Sequence, residues 1–353
     1  MRRGPERRTA PWYVHVMAAL SPALDRLIAD LPKVELHLHI EGTLEPEMMM
    51  AKAARHGLTP TYPTVEALRA AYEFADLQSF LDIYYAGCDV LRDEEDFYDL
   101  ALAYFERAHA DRVVHAEIFF DPQTHTARGL TMGTVIGGLA RAQAEAERRW
   151  GLTSKLILCF LRHLSERDAF DTLEAAKPYL AQLAGVGLDS GERGNPPSKF
   201  ARVFGVARKL GLKAVAHAGE EGPASYIREA LEVLEAVRID HGVRCDEDDA
   251  LVEELARRRI PLTVCPLSNL KLRVVPALSA HNLGRLLDAG LCVTINSDDP
   301  AYFGGYLVDN YRAAAAALDL DEDALRQLAR NAIEASWLSV TRKVALLDAV
   351  DRA

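Results

Sequence analysis

Paired cysteines are missing from this chain. Its five cysteines, Cys88, Cys159, Cys245, Cys265 and Cys292, stand far apart with no CxxC spacing. That argues against a disulfide framework and against a thiolate metal site. Cys159, Cys265 and Cys292 fall inside apolar runs, where a thiol packs as a small hydrophobe in a reducing, cytoplasmic setting. No run approaches the roughly 18 apolar residues a membrane-spanning helix needs. An excess of positive charge is also lacking: 41 Lys and Arg stand against 52 Asp and Glu, a net charge of −11. Such a surface repels phosphate backbones and anionic bilayers, so neither nucleic acid nor membrane is an expected partner. A small neutral or cationic molecule remains. No Gly-rich phosphate loop follows the first strand-like run, which disfavours a doubly wound nucleotide-binding sheet.

What is present is a regular alternation. Extended, β-branched runs at Val34–His39, Val113–Phe119, Lys155–Leu161, Val186–Asp189, Ala214–His217, Arg238–His241, Leu262–Val264 and Cys292–Ser297 are separated by helix-length amphipathic stretches. In Asp321–Trp337 the apolar residues Leu325, Leu328, Ala329, Ala332 and Ile333 recur at helical spacing. Strands separated by helices imply parallel βαβ units. Eight such units predict an α/β fold, a (β/α)8 TIM-type barrel with a helical insertion after the first strand. The insertion spans Thr59–Cys88 and is expected to cover the barrel mouth. The Arg-rich start and the short apolar stretch after it read as a poorly ordered N-terminal extension over residues 1–25, followed by one catalytic domain over 26–353.

Four motifs end strand-like runs: His37-Leu38-His39, His217-Ala218-Gly219-Glu220, Asp240-His241-Gly242 and Ser297-Asp298-Asp299-Pro300. Polar residues at the far ends of several strands mark the mouth of a barrel as the active site. His37 and His39, two apart on a strand, share a face. With His217 and Asp298 they form a donor set of three imidazoles and a carboxylate, suited to a mononuclear Zn2+ with room for a water. Iron and manganese accept the same ligand types. His241 is expected outside this set as a base near the metal's water. Glu220 sits where a carboxyl reaches a substrate rather than the metal, and Asp299 is free to accept from a ring N–H. Cys265-Pro266-Leu267-Ser268-Asn269 is expected only to shape the mouth.

The order of these motifs resembles the adenosine/adenine deaminase family of metal-dependent hydrolases, over Leu31 to about Trp337. The stretches Phe119–His125, Gly194–Phe200 and Ser297–Tyr306 are most similar to its adenine deaminase subgroup. The resemblance implies one zinc per subunit on His37, His39, His217 and Asp298. It further implies Glu220 as proton donor to purine N1, His241 orienting and deprotonating the water, and Asp299 holding N7. The implied reaction is hydrolytic deamination of adenine to hypoxanthine in purine salvage, in the cytoplasm. The alternative within the family is a deaminase of adenosine or another N6- or N9-substituted adenine. The partner is a small purine, and assembly into a homo-oligomer is left open. Two positions bear on the choice of base. Nucleoside deaminases carry Asp where this chain has Glu41, and the extra methylene is expected to fill the volume of a sugar. In Asp189-Ser190-Gly191-Glu192, where the subgroup often has a second Ser, a backbone N–H at Gly191 is the expected contact to the purine N3 edge.

Overall fold

The computed structural model describes residues 20–353. Its strands pair in parallel, each with the next in chain order: β1 (Lys33–Glu35), β2 (Val113–Phe120), β3 (Thr153–Leu161), β4 (Leu183–Asp189), β5 (Lys213–Ala218), β6 (Arg238–His241), β7 (Pro261–Val264) and β8 (Cys292–Ile295). The ring closes through an isolated bridge between Leu38 and Asp298. There Asp298 donates its N–H to the His37 carbonyl at 3.1 Å, and His39 donates to the Asp298 carbonyl at 3.0 Å. The result is the (β/α)8 barrel expected from the alternation.

All eight expected strands appear, with two shortened: β8 stops at Ile295 rather than Ser297. β1 ends at Glu35, and the chain reaches His39 through single bridges. The cause is local: the Asn296 side-chain oxygen takes the Leu36 N–H at 2.9 Å in place of a ladder bond.

Strand alternation separates two cores. Phe119, Ile157, Cys159 and Val215 point into the lumen and form a small inner cluster packed on Trp337. Leu156, Leu158 and Phe160 point outward into the main core beneath the helices. At the N-terminal end of the lumen, buried Arg238 and Glu117 pair at 2.6 Å, and the Arg238 guanidinium lies 5.0 Å from the centre of the Trp337 ring. The lumen is therefore filled at that end, which leaves its C-terminal mouth for ligands.

Between β1 and β2 run four helices, Pro46–Arg55, Val65–Ala70, Leu77–Cys88 and Glu94–Ala110. The insertion expected over Thr59–Cys88 holds the middle pair. Asp76 and Ser79 close a reciprocal cap at the start of Leu77–Cys88, which lays Leu77, Phe80, Leu81 and Tyr84 over the mouth. The extension expected over residues 1–25 lies outside the described residues as far as residue 19. Its last part forms the start of helix Pro22–Asp30, where Asp25 accepts from Arg312 at 2.6 Å. No helix among the described residues is long and apolar enough to cross a membrane, and all five cysteines are buried.

Candidate active site

The four motifs converge at the mouth. A cavity there is lined by His39, His217, Glu220, His241, Asp298 and Asp299, together with Asp121, Asp189 and Ser190. Leu77, Phe80, Leu81, Tyr84, Tyr85, Leu272 and Phe303 supply apolar walls. His37 lies just behind it, fully buried.

His37, His39, His217 and Asp298 place one donor atom each within 4.8 Å of one another. The proton on His37 can be located from its partners. Thr263 donates its hydroxyl proton to Asp240 at 3.0 Å, so the same oxygen accepts from His37 Nδ1 at 2.9 Å. Nε2 of His37 is then bare, and it is buried without a hydrogen-bond partner. It faces Asp298 Oδ1 at 3.2 Å. A lone pair against a carboxylate oxygen is repulsive unless a cation is shared. His39 Nε2 and His217 Nε2 stand 3.2 Å apart, and His39 Nε2 lies 3.6 Å from Asp298 Oδ1. Ligand atoms about 2.0–2.1 Å from a tetrahedral zinc lie about 3.3 Å apart, so these spacings fit one divalent ion. Carboxylates back the other ring nitrogens: Asp189 lies 3.6 Å from His39 Nδ1 and Asp240 lies 3.7 Å from His217 Nδ1.

Electrostatics agree with that donor set. Burial, then the neighbouring rings, hold His217 well below the ordinary imidazole range, and burial also lowers His39. Both therefore offer neutral nitrogens. Burial opposes ionisation of Asp298, but positive charge on the imidazole side, at His37 first, outweighs it and holds the carboxyl well below the usual range; with the rings neutral, a shared cation would supply that charge. Glu220 behaves oppositely: burial, then the Asp298 charge, push it well above the usual range, and its Oε1 is unpartnered. His241 Nε2 lies 3.6 Å from that oxygen and 3.8 Å from Asp298 Oδ2. His241 and Asp298 both hold a left-handed backbone, at φ 61° and 62°, a strain that neighbouring structure must sustain.

Asp299 lines the same cavity and its Oδ1 is unpartnered. Gly42 makes that position accessible: a Cβ there would stand 2.0 Å from Asp299 Oδ1. Two expectations need correction. The Glu41 carboxylate does not line the cavity. It is fully buried, and its Oε1 accepts the Asp121 N–H at 3.1 Å and meets His125 Nε2 at 2.8 Å, so it does not occupy a sugar's volume directly. Gly191 lines a neighbouring outer cavity with Gln78, His163 and Arg193, while Ser190 borders both.

Several residues escaped the sequence reading. Glu192 accepts four successive backbone N–H groups, from Gly219 (2.7 Å), Glu220 (3.1 Å), Glu221 (2.9 Å) and Gly222 (2.7 Å), and so shapes the loop that carries Glu220. Asp121 and Asp189 are buried carboxyls lining the same cavity, both shifted upward by burial first and like charge second. Asn269, expected only to shape the mouth, contacts the His241 ring. The only available sequence signal was their position at or after strand ends.

A closed barrel with three histidines and an aspartate grouped at its C-terminal mouth has the architecture of a barrel hydrolase with a candidate metal site. The family profile described as adenosine deaminase matches residues 32–353. An adenine deaminase of Cupriavidus necator is 60% identical over 332 residues, covering 94% of this chain and 95% of its own length. One from Geotalea uraniireducens is 61% identical over 317 residues, covering 90% and 89%. Among solved structures, the adenine deaminase of Arthrobacter aurescens superposes with a TM-score of 0.90 at 52% identity, covering 91% of this chain and 98% of its own. An amidohydrolase of Burkholderia ambifaria with bound zinc gives 0.86 at 25% identity, covering 95% and 96%. The chain belongs to the adenosine deaminase family.

Proposed function

We propose that this protein is a zinc-dependent adenine deaminase, hydrolysing adenine to hypoxanthine and ammonia in purine salvage. The observation that carries the reading is the pairing of Glu220, a carboxyl pushed toward its protonated form, with a four-donor cluster in one partly apolar cavity. The names of the relatives at 60% identity over nearly the whole chain support adenine as the base. Residues 26–353 act as one catalytic unit, in the cytoplasm.

His37, His39, His217 and Asp298 would hold the metal, and the zinc bound in the Burkholderia amidohydrolase supports its identity. Bound there, a zinc ion supplies a Lewis acid that acidifies water near neutral pH. Glu220 carries a proton to ring N1, which makes C6 electrophilic. His241 orients the attacking oxygen from the neighbouring strand end. Asp299 accepts from N7–H and sets the ring's register. Leu77, Phe80 and Leu81 exclude water from the reacting face.

A spectrophotometric screen across adenine, adenosine, N6-methyladenine and larger N9-substituted purines tests this, with bound metal quantified on the same sample. The expected outcome is preferred turnover of adenine at one zinc per chain. Full metal occupancy without adenine turnover would overturn the assignment.

A further inference from the structure

A chain of buried hydrogen bonds reaches His241 from outside the reacting cavity, and its direction can be worked out link by link. It begins at a backbone donor, which leaves no ambiguity: the Leu283 N–H donates to His281 Nδ1 at 3.0 Å. A ring nitrogen that accepts carries no proton, so the proton of neutral His281 is on Nε2. Burial lowers the His281 pKa to about 4, which keeps the ring neutral near pH 7. Nε2–H therefore donates to Asn269, 3.1 Å away, and the atom facing it must be the amide oxygen. A flipped amide would set N–H against N–H at a site with no exposure, so the orientation follows from the network. The Asn269 NH2 is then turned toward His241 Nδ1, at 3.5 Å the longest link of the series. Nδ1 of His241 is the acceptor, and its single proton sits on Nε2, the nitrogen facing Glu220 and Asp298.

We infer that His281 and Asn269 are positioning residues that hold His241 as its Nε2–H tautomer, so that His241 meets the attacking oxygen as a hydrogen-bond donor. This rests on the deaminase reading of the site for its catalytic meaning, but the tautomer follows from the chain of bonds alone. It also sets His241 apart from His37. Thr263 fixes the His37 proton on Nδ1 and leaves Nε2 free to ligate, whereas Asn269 does the reverse. Two imidazoles with ring centroids 4.6 Å apart thus turn the same atom, Nε2, inward, bare on His37 and protonated on His241. A ring with Nε2 protonated has no lone pair turned toward the reacting oxygen. It can aim that oxygen by donation but does not take the water's proton at that atom.

The test uses metal-loaded, substrate-free protein labelled with 15N in histidine, its His241 signals assigned by comparison with His241→Gln. Long-range 1H–15N correlations should show a bare Nδ1 and a protonated Nε2 on His241, and a reversed pattern in Asn269→Asp, whose carboxylate accepts. A wild-type spectrum with the proton on Nδ1 overturns the proposal. Kinetics supply a second arm. His281→Leu should lower kcat on the order of tenfold, the scale of such outer partners, with KM and metal content unchanged. His281→Gln, whose amide can both accept from Leu283 and donate to Asn269, should recover most of it. Equal activity in the two variants sinks the positioning role. If His281→Leu does not fold, the wild-type and Asn269→Asp spectra decide. Protein that shows the Nε2–H pattern yet leaves adenine untouched refutes the deaminase reading and not the relay.

Discussion

Glu220 and Asp298 both approach His241 Nε2, at 3.6 and 3.8 Å, and are driven in opposite directions, the first carboxyl toward protonation and the second toward ionisation. Replacing Glu220 by Gln keeps shape and burial but removes the transferable proton. Metal content should stay normal while kcat falls on the order of 10^2- to 10^4-fold; near-normal turnover would take Glu220 out of the proton path. The sign of the pH effect follows. A raised carboxyl pKa keeps the proton through neutral pH, so activity that needs it should decline as pH climbs through that raised value. A pH–rate profile with no alkaline limb would contradict this. His217→Ala removes one donor of four and should lose metal and activity together, as measured by metal analysis after dialysis. At Glu41 the geometry reverses the simpler expectation. Glu41→Asp shortens the reach to the Asp121 amide and His125, so it should cost roughly 1–3 kcal/mol of stability. The ratio of adenine to adenosine turnover should stay where it is. A shift toward adenosine would restore the sugar-exclusion idea.

The element that matters most beyond the strands is the loop from Gly219 to Gly222. Its backbone N–H groups all converge on the Glu192 carboxylate, brought by the loop after β4. Glu192→Ala would leave those donors in search of partners and release Glu220. The expected result is a large drop in kcat for adenine with bound metal retained, because no metal ligand touches Glu192; unchanged kcat would mean that the loop holds its form without the carboxylate. The turn after β1 makes a comparable demand at Gly42, where a methyl group would collide with Asp299. Among the elements, β1 to β8 were readable because continuous β-branched, apolar runs need no knowledge of partners. The helix over Glu322–Ala335 was readable in the same way, from its apolar face, and Asp321 caps it. The Pro46–Arg55 and Glu94–Ala110 helices were passed over, since the reading of the insertion centred on Thr59–Cys88.

Across the whole molecule, a single carboxylate helps to close the barrel. Glu35 accepts the backbone N–H and hydroxyl of Ser297 and the Tyr104 hydroxyl, which joins β1 to the end of β8. Burial nevertheless raises its pKa to about 7 from 4.5. A carboxyl whose folded pKa is raised binds its proton more tightly in the folded state. Its contribution is complete below pH 4.5 and is lost as pH rises to about 7. The difference is on the order of 3 kcal/mol. Denaturant midpoints of the wild type should therefore fall across that window relative to Glu35→Gln. Parallel curves would remove Glu35 from the balance.

The order of residues along the chain was enough to settle the barrel and the identity of the donor groups at its mouth. Both depend on local periodicity and on which side chain stands last in each strand. Which atom of each side chain faces the cavity was decided by folding. The proton on His37 depends on Thr263, 226 residues away; the aim of Glu220 depends on Glu192; and the Glu41 carboxylate is drawn to an amide 80 residues on. Hydrogen-bond direction is a property of pairs, and those pairs exist only once the strands have closed into a ring.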